Sequence, residues 1–345
     1  MFLGVEIGGT KLQVGVGRGD DAKLIALERA EVNPAQGAVG ILNQIERMAL
    51  PLARKHRARG VGIGFGGPVD VRTGRVVKSH HIAGWTDFPL VEWCARALNL
   101  PAVLANDADT AGLAEARFGA GRGRDPVFYV TVGTGIGGGL IVGGKIYSGS
   151  GVGAAELGHL RPGLQSEQPE QNLESLAAGW GIAAAAQARL AGPMSFRLDE
   201  VRSGKRPRKP EDVRQRLIEV EEADEEDVAD LLNRCDARPE QLTTKIVGQA
   251  AHDGNRIAQD VLRHAWQALG WGIAQAITLT SPQIVVIGGG VSLLGDELFF
   301  APVRKQIERY VFPPFTGKYQ VVPAALGEEM VIFGALALAA DAATQ

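Results

Sequence analysis

Apolar residues crowd two short runs at the start of the chain, 2–7 and 12–17, on either side of Gly8-Gly9-Thr10. Two such runs joined by a glycine-bearing turn predict a β-hairpin. The period then changes: Val39, Leu42, Ile45, Met48 and Leu52 fall at helical spacing within 38–58. A short apolar strand follows at 60–65, then a helix from Pro89 to Leu98 and a buried strand Ala102-Val103-Leu104-Ala105. Asn106-Asp107-Ala108-Asp109 supplies capping residues for a helix through about Phe118. The order strand, strand, helix, strand, helix, strand, helix is that of an α/β unit.

The pattern then begins again. Residues 127–132 predict a strand, a glycine turn follows, and Leu140-Ile141-Val142 predicts its partner. Thr134 lies 124 residues after Thr10 in a similar turn, which suggests a duplicated α/β half-domain. Two equivalent hairpins facing one cleft would grip a polyphosphate from two sides. Residues 256–280 form a long amphipathic helix (Ile257, Val261, Trp266, Leu269, Ile273, Ile277), and Gln283 to Ile287 is a buried strand ending in Gly288-Gly289-Gly290. A further helix, a strand at Tyr319 to Val322 and a final helix from Glu328 to Asp341 complete the pattern. We expect an N-terminal lobe over 1–120 and a larger lobe over 121–345, with the final helix free to pack back on the first. The stretch 197–230, basic from Arg202 to Lys209 and acidic from Glu219 to Asp230, reads as a solvated helical excursion.

Composition narrows the function. Lys plus Arg number 36 against 39 Asp plus Glu, so there is no basic footprint for nucleic acid. Only Cys94 and Cys235 are present, too few for a disulfide framework or a four-cysteine zinc site. No apolar run reaches the ~18 residues of a membrane span, and the N-terminus lacks the basic region of a signal peptide. The expectation is a cytoplasmic protein with neither membrane nor nucleic-acid partner. Glycine is the exception, at 46 of 345 residues, roughly twice the usual share. It clusters at Gly8-Gly9, Gly62 to Gly67, Gly133 to Gly139, Gly149 to Gly153 and Gly288 to Gly290, which suggests backbone loops that cradle a ligand.

Gly133-Thr134-Gly135-Ile136-Gly137-Gly138 satisfies G-x-G-x-x-G, but a strand rather than a helix follows it, so the dinucleotide reading fails on context. Its N–H groups still suit an anion; the alternative is a tight turn without a ligand. Glu6-Ile7-Gly8-Gly9-Thr10-Lys11 is not a P-loop, yet it holds the same parts: glycine N–H groups and the Thr10 hydroxyl for phosphate, and Lys11 for charge. Glu6 either holds Mg²⁺ through water or is a half-exposed strand carboxylate. Asp107, at a strand–helix junction, suits a base that takes a proton from a hydroxyl as phosphoryl transfer begins. The other reading of Asn106-Asp107 is a pair of helix caps, with Asp109 the better cap. Glu156, His159 and Glu174, in a glycine-rich or apolar setting, suit hydrogen bonds to vicinal hydroxyls of a sugar. His80-His81 has no nearby cysteine or carboxylate to complete a zinc set.

Taken in order, these motifs resemble the ROK family of bacterial sugar kinases, within the hexokinase–actin-like ATPase superfamily. Gly4 to Lys11 is similar to its first phosphate motif, Gly62 to Asp70 to its glycine-proline sugar loop, and Gly84-Trp85 with Pro89-Leu90 to the next segment. Asn106-Asp107-Ala108 resembles the catalytic segment, and Gly133 to Gly139 the second phosphate motif. Glu156-Leu157-Gly158-His159 resembles E-x-G-H, Leu173-Glu174 the later sugar-binding glutamate, and Ile287 to Ser292 the adenosine motif. The resemblance implies two duplicated ribonuclease-H-like lobes with a cleft between them. It implies ATP and Mg²⁺, a hexose bound by Gly67, Asn106, Asp107, Glu156, His159 and Glu174, and glucose phosphorylated at O6 with Asp107 as base. ATP would be held by Gly8, Gly9, Thr10, Lys11, Gly133, Thr134, Gly135, Gly288, Gly289 and Gly290, and the molecule would be a homodimer. N-acetylhexosamine or fructose is the alternative substrate, and a catalytically weak sugar sensor the alternative class. Three departures stand out. Glu6 replaces the usual Asp, and His81 the usual Asn. The family's cysteine-rich zinc segment after the histidine has no cysteine between Leu164 and Asn172, where Gln165, Glu167 or Gln171 would brace the loop instead. No zinc is therefore expected. Family members with a repressor role carry an N-terminal helix-turn-helix, and this chain opens on the first strand, so that role is disfavoured.

Overall fold

Eight of the strands read from the hydropathy pattern form two sheets of matching design, each completed by an outer strand. The structure, a computed structural model, describes residues 1–78, 82–163, 170–190 and 225–344. In the first half the strands are β1 (Phe2–Ile7), β2 (Lys11–Gly17), β3 (Ala26–Glu31), β4 (Val61–Phe65), the short ribbon β5 (Val69–Asp70) and β6 (Arg75–Val76), and β7 (Ala102–Asn106). The second half adds β8 (Val127–Val132), β9 (Ile136–Val142), β10 (Lys145–Ile146), β11 (Ile284–Gly288) and β12 (Gln320–Pro323). The sheets run β3-β2-β1-β4-β7 and β10-β9-β8-β11-β12. In each, the first two pairings are antiparallel and the next two parallel. The duplication expected from the two hairpins is thus a duplication of whole sheets.

The helices are α1 (Gly37–His56), α2 (Leu90–Leu98), α3 (Asp107–Phe118), α4 (Leu173–Ala177), α5 (179–190), α6 (Glu225–Arg234), α7 (Thr244–His252), α8 (Arg256–Thr280), α9 (Ala301–Tyr310) and α10 (Met330–Ala342). α1 buries Ile41, Leu42, Ile45, Met48 and Leu52 on the first sheet, and its last turn carries Arg54, Lys55 and His56, which suits the negative end of the helix dipole. α8 is capped by Asn255, whose side chain accepts from Ala258 N–H, and it buries Ile257 through Ile277 against the second sheet. The charged stretch 197–230 lies outside the described residues except for its end in α6.

The half-domains exchange helices. α3, from the first half, lays Ala111 and Leu113 on Val127, Tyr129 and Ile141 of the second sheet. α10, from the second half, lays Ile332, Leu336 and Ala339 beside Phe2 of the first. Close approach explains Gly62, which composition had assigned to a ligand loop, and also Gly334. A Cβ on Gly62 would stand 1.8 Å from the Ala335 carbonyl oxygen, and one on Gly334 1.9 Å from that of Thr110. Gly62 is therefore a strand position against which α10 packs, and Gly334 is where α10 crosses α3.

β3 escaped the hydropathy pattern. It is a partly exposed edge strand reading Ala-Leu-Glu-Arg-Ala-Glu, held by pairing to β2 from Val16↔Ala26 to Lys11↔Glu31. An edge strand needs no apolar alternation to be formed by its neighbour.

Candidate active site

The parallel strands β1, β4 and β7 end side by side, and their first residues beyond the sheet converge. Gly66 N–H donates to the Ile7 carbonyl at 2.8 Å. Asn106 Nδ2 donates to the Gly67 carbonyl at 3.0 Å, while its Oδ1 accepts from Ala108 N–H at 2.8 Å. Asn106 is thus the N-cap of α3 and ties the glycine-proline loop to it. Asp107, the first helical residue, also accepts from Ala108 N–H, at 2.8 Å. A Cβ on Gly66 would stand 3.3 Å from Asp107 Oδ2 and 3.5 Å from Gly8 Cα, so the first hairpin, the loop and this carboxylate share one corner. From the other side, a Cβ on Gly137 would stand 3.0 Å from Ala108 Cβ. Asp107 therefore lies between the two glycine hairpins. Burial, reinforced by the negative charges of Glu6 and Glu156, pushes its carboxyl up to about 6 from 3.8.

Asp109 is not the cap that its spacing suggested. It is buried, its Oδ1 has no hydrogen-bond partner among the described residues, and burial beside Glu156 and Asp107 pushes the acid up to about 8. An acid whose pKa rises on folding binds its proton more tightly when folded, so its contribution to stability is lost as pH climbs from about 4 to about 8. Asp109→Asn, nearly equal in volume and unable to titrate, is expected to flatten stability over that window. Urea unfolding at pH 5 and pH 8 checks this, and parallel losses in both proteins would show that Asp109 ionises freely.

Glu6 is almost wholly buried at the end of β1. Lys11 Nζ lies 3.2 Å from its Oε1, and Gln13 Nε2 donates to its Oε2 at 2.8 Å. Burial raises its pKa, and Lys11 and Gln13 oppose the shift. Gln13, fully buried, in turn accepts from Arg29 Nε at 3.1 Å. Sequence reasoning passed over Gln13; its signal was a lone amide inside an apolar strand.

The second hairpin closes the opposite wall. Gly289, at φ 91°, leaves no room for a side chain, because its Cβ would stand 2.4 Å from the Val132 carbonyl oxygen. Gly290 N is 3.9 Å from where a Cβ on Gly133 would be, so Gly288-Gly289-Gly290 flanks Gly133-Thr134-Gly135. The segment bearing Glu156 and His159 packs along β9: a Cβ on Gly138 would meet the Ala155 carbonyl oxygen at 2.2 Å, and one on Gly158 that of Ile136 at 2.2 Å. Glu156 is open to solvent, yet crowding by protein atoms raises its pKa, with His159 opposing and Glu174 adding to the shift. Glu174 accepts from Ile136 N–H at 2.8 Å, a contact with the phosphate hairpin that its reading as a sugar ligand did not anticipate. His80 and His81 lie outside the described residues, as do Gln165 and Glu167 of the expected loop brace.

A family model described as the ROK family matches residues 2–342. The chain belongs to the ROK family. A glucokinase of Thermotoga maritima is 30% identical over 338 residues, 98% of this chain and 96% of that protein. A ROK family glucokinase from Streptomyces griseus, solved with glucose and AMPPNP, is 30% identical and covers 99% of both chains with a TM-score of 0.75. The ROK hexokinase from Thermus thermophilus, 26% identical, covers 99% of both chains with a TM-score of 0.73. The two duplicated lobes with a cleft between them are thus the ROK arrangement of the actin-like ATPase fold. Among the described residues no helix is long and apolar enough to cross a membrane.

Proposed function

We propose that this ROK chain is an ATP-dependent hexose kinase that transfers the γ-phosphoryl group to the 6-hydroxyl of glucose. The observation that carries the reading is Asp107, a carboxylate of raised pKa lying between two glycine hairpins. In the step proposed, Asp107 takes the hydroxyl proton, the sugar oxygen bonds to γ-phosphorus, and ADP departs with the bridging oxygen. Positioning and electrostatics supply most of the rate in such a transfer. Gly67, Asn106, Asp107, Glu156, His159 and Glu174 hold the sugar. Gly8, Gly9, Thr10 and Lys11 from one lobe and Gly133, Thr134 and Gly135 from the other hold the phosphates, with Gly288, Gly289 and Gly290 beside the nucleoside.

Mg²⁺ is usually held by one or two carboxylates and the substrate phosphates. Glu6, at a strand end and within the field of Asp107, fits that pattern through a water. When bound, the ion neutralises phosphate charge. Glu6→Gln keeps the amide–carboxylate shape and frees Lys11, so the Mg²⁺ needed for half-maximal rate is expected to rise several-fold. Superimposable Mg²⁺ titrations would remove Glu6 from the site.

The relatives' glucokinase activity and the glucose and AMPPNP of the Streptomyces griseus structure support the choice of substrates. Incubating the protein with ATP and glucose, fructose or N-acetylhexosamines, with phosphorylated products read by mass spectrometry and phosphorus NMR, tests it. Glucose 6-phosphate as the main product is expected; no phosphorylated hexose from any member of the panel would overturn the reading.

A further inference from the structure

Glu174 sits at a junction. It is the second residue of α4, whose N-terminus is closed by a capping box between Asn172 and Ser175. Leu173, fully buried, packs so tightly on α8 that a Cβ on Gly272 would meet its Cδ2 at 2.5 Å. The carboxylate is therefore mounted on a fixed support. Its Oε2 accepts from Ile136 N–H at 2.8 Å and would stand 2.5 Å from a Cβ on Gly135. Five residues on, Gly179 N–H donates to the Gly133 carbonyl at 2.8 Å, and Thr244 Oγ1 donates to the Gly179 carbonyl at 2.6 Å. One short segment thus straps both ends of the second phosphate turn. Glu174 Oε1 takes no part in this strap and has no hydrogen-bond donor among the described residues.

We propose that Glu174 is a positioning residue that couples the two substrate sites: one oxygen anchors the phosphate hairpin at Gly135-Ile136, and the other receives a sugar hydroxyl. The proposal rests on the kinase reading above and deepens it. A hydroxyl on Oε1 orders the carboxylate, and the ordered carboxylate holds Ile136 N–H and the turn in the shape that receives phosphate. Coupling of this kind is reciprocal, so sugar tightens nucleotide and nucleotide tightens sugar by the same factor.

The test is the ratio of dissociation constants for a non-hydrolysable ATP analogue without and with saturating glucose, measured by calorimetry on the full chain. The wild type is expected to give a ratio of at least about fivefold. Glu174→Ala should bring the ratio close to one. Glu156→Gln, which alters a proposed sugar contact but not the strap, should weaken glucose binding and keep the wild-type ratio once glucose saturates. Gly135→Ala approaches the same contact from the other side: the added methyl displaces the carboxylate while leaving Glu174 in place, and the ratio should again fall. It serves alone if Glu174→Ala does not fold.

A wild-type ratio of one, or a wild-type ratio retained in either Glu174→Ala or Gly135→Ala, overturns the proposal. Loss of the ratio in Glu156→Gln would overturn its assignment to Glu174. Failure of the kinase reading has a separate signature: the wild type would bind neither glucose nor the analogue.

Discussion

With Asp107 as the proposed base and glucose as the proposed substrate, Asp107→Asn is expected to fold and to bind glucose with unchanged affinity, and its kcat to fall about 10²- to 10⁴-fold, the usual cost of losing a general base. The amide keeps an oxygen for Ala108 N–H, so the start of α3 is undisturbed. What it loses is the capacity to take a proton. The wild-type carboxyl, raised to about 6 by burial, must be ionised to act as base, so activity should decline as pH falls through that value. The acid limb should vanish in the variant, while calorimetry shows glucose affinity little changed. Near-wild-type turnover in Asp107→Asn would reduce the residue to a helix-terminal carboxylate.

Glu115→Ala will lower folding stability by about 3 kcal/mol, because three backbone donors lose their common acceptor. Glu115 is wholly inaccessible. Its Oε1 accepts from Ala325 and Leu326 N–H at 2.9 and 2.8 Å, and its Oε2 from Ala120 N–H at 2.8 Å. Three backbone groups depend on one buried side chain, which joins the end of α3 to the turn before α10. Glu115→Gln retains one oxygen acceptor and should lose less. Urea denaturation ranks the three proteins; an alanine variant within about 0.5 kcal/mol of wild type would mean that the turn finds other partners.

Most of the regular elements were legible because their burial is periodic. α1 and α8 each present one apolar stripe; β4 and β11 are apolar throughout, and β1 is so except at Glu6, because both faces are covered. The phosphate hairpins and the Asn106-Asp107 junction were legible for a different reason: glycine, a small hydroxyl and a carboxylate at a strand end are local signals. What escaped depends on long-range partners. β3 exists because β2 pairs with it. The purpose of Gly62 appears only when Ala335 arrives against it. Asp109 looks like a cap by spacing, but Asn106 reaches the free N–H first and leaves Asp109 inside. Nor does any local pattern around Glu174 announce the N–H of Ile136, 38 residues earlier.

The exchanged helices bear on synthesis. β1 leaves the ribosome long before α10, the helix that covers one of its faces. Translation adds about 5–20 residues per second, so that face waits tens of seconds for its cover. During the wait Gly4, Gly62 and Gly64 form a flat, glycine-lined groove with no helix in it. The first half can collapse around α1 but cannot finish. Premature release before Met330 would therefore leave that face of β1 uncovered, and nascent chains stalled there should recruit chaperones or proteases through β1 rather than through the truncated end.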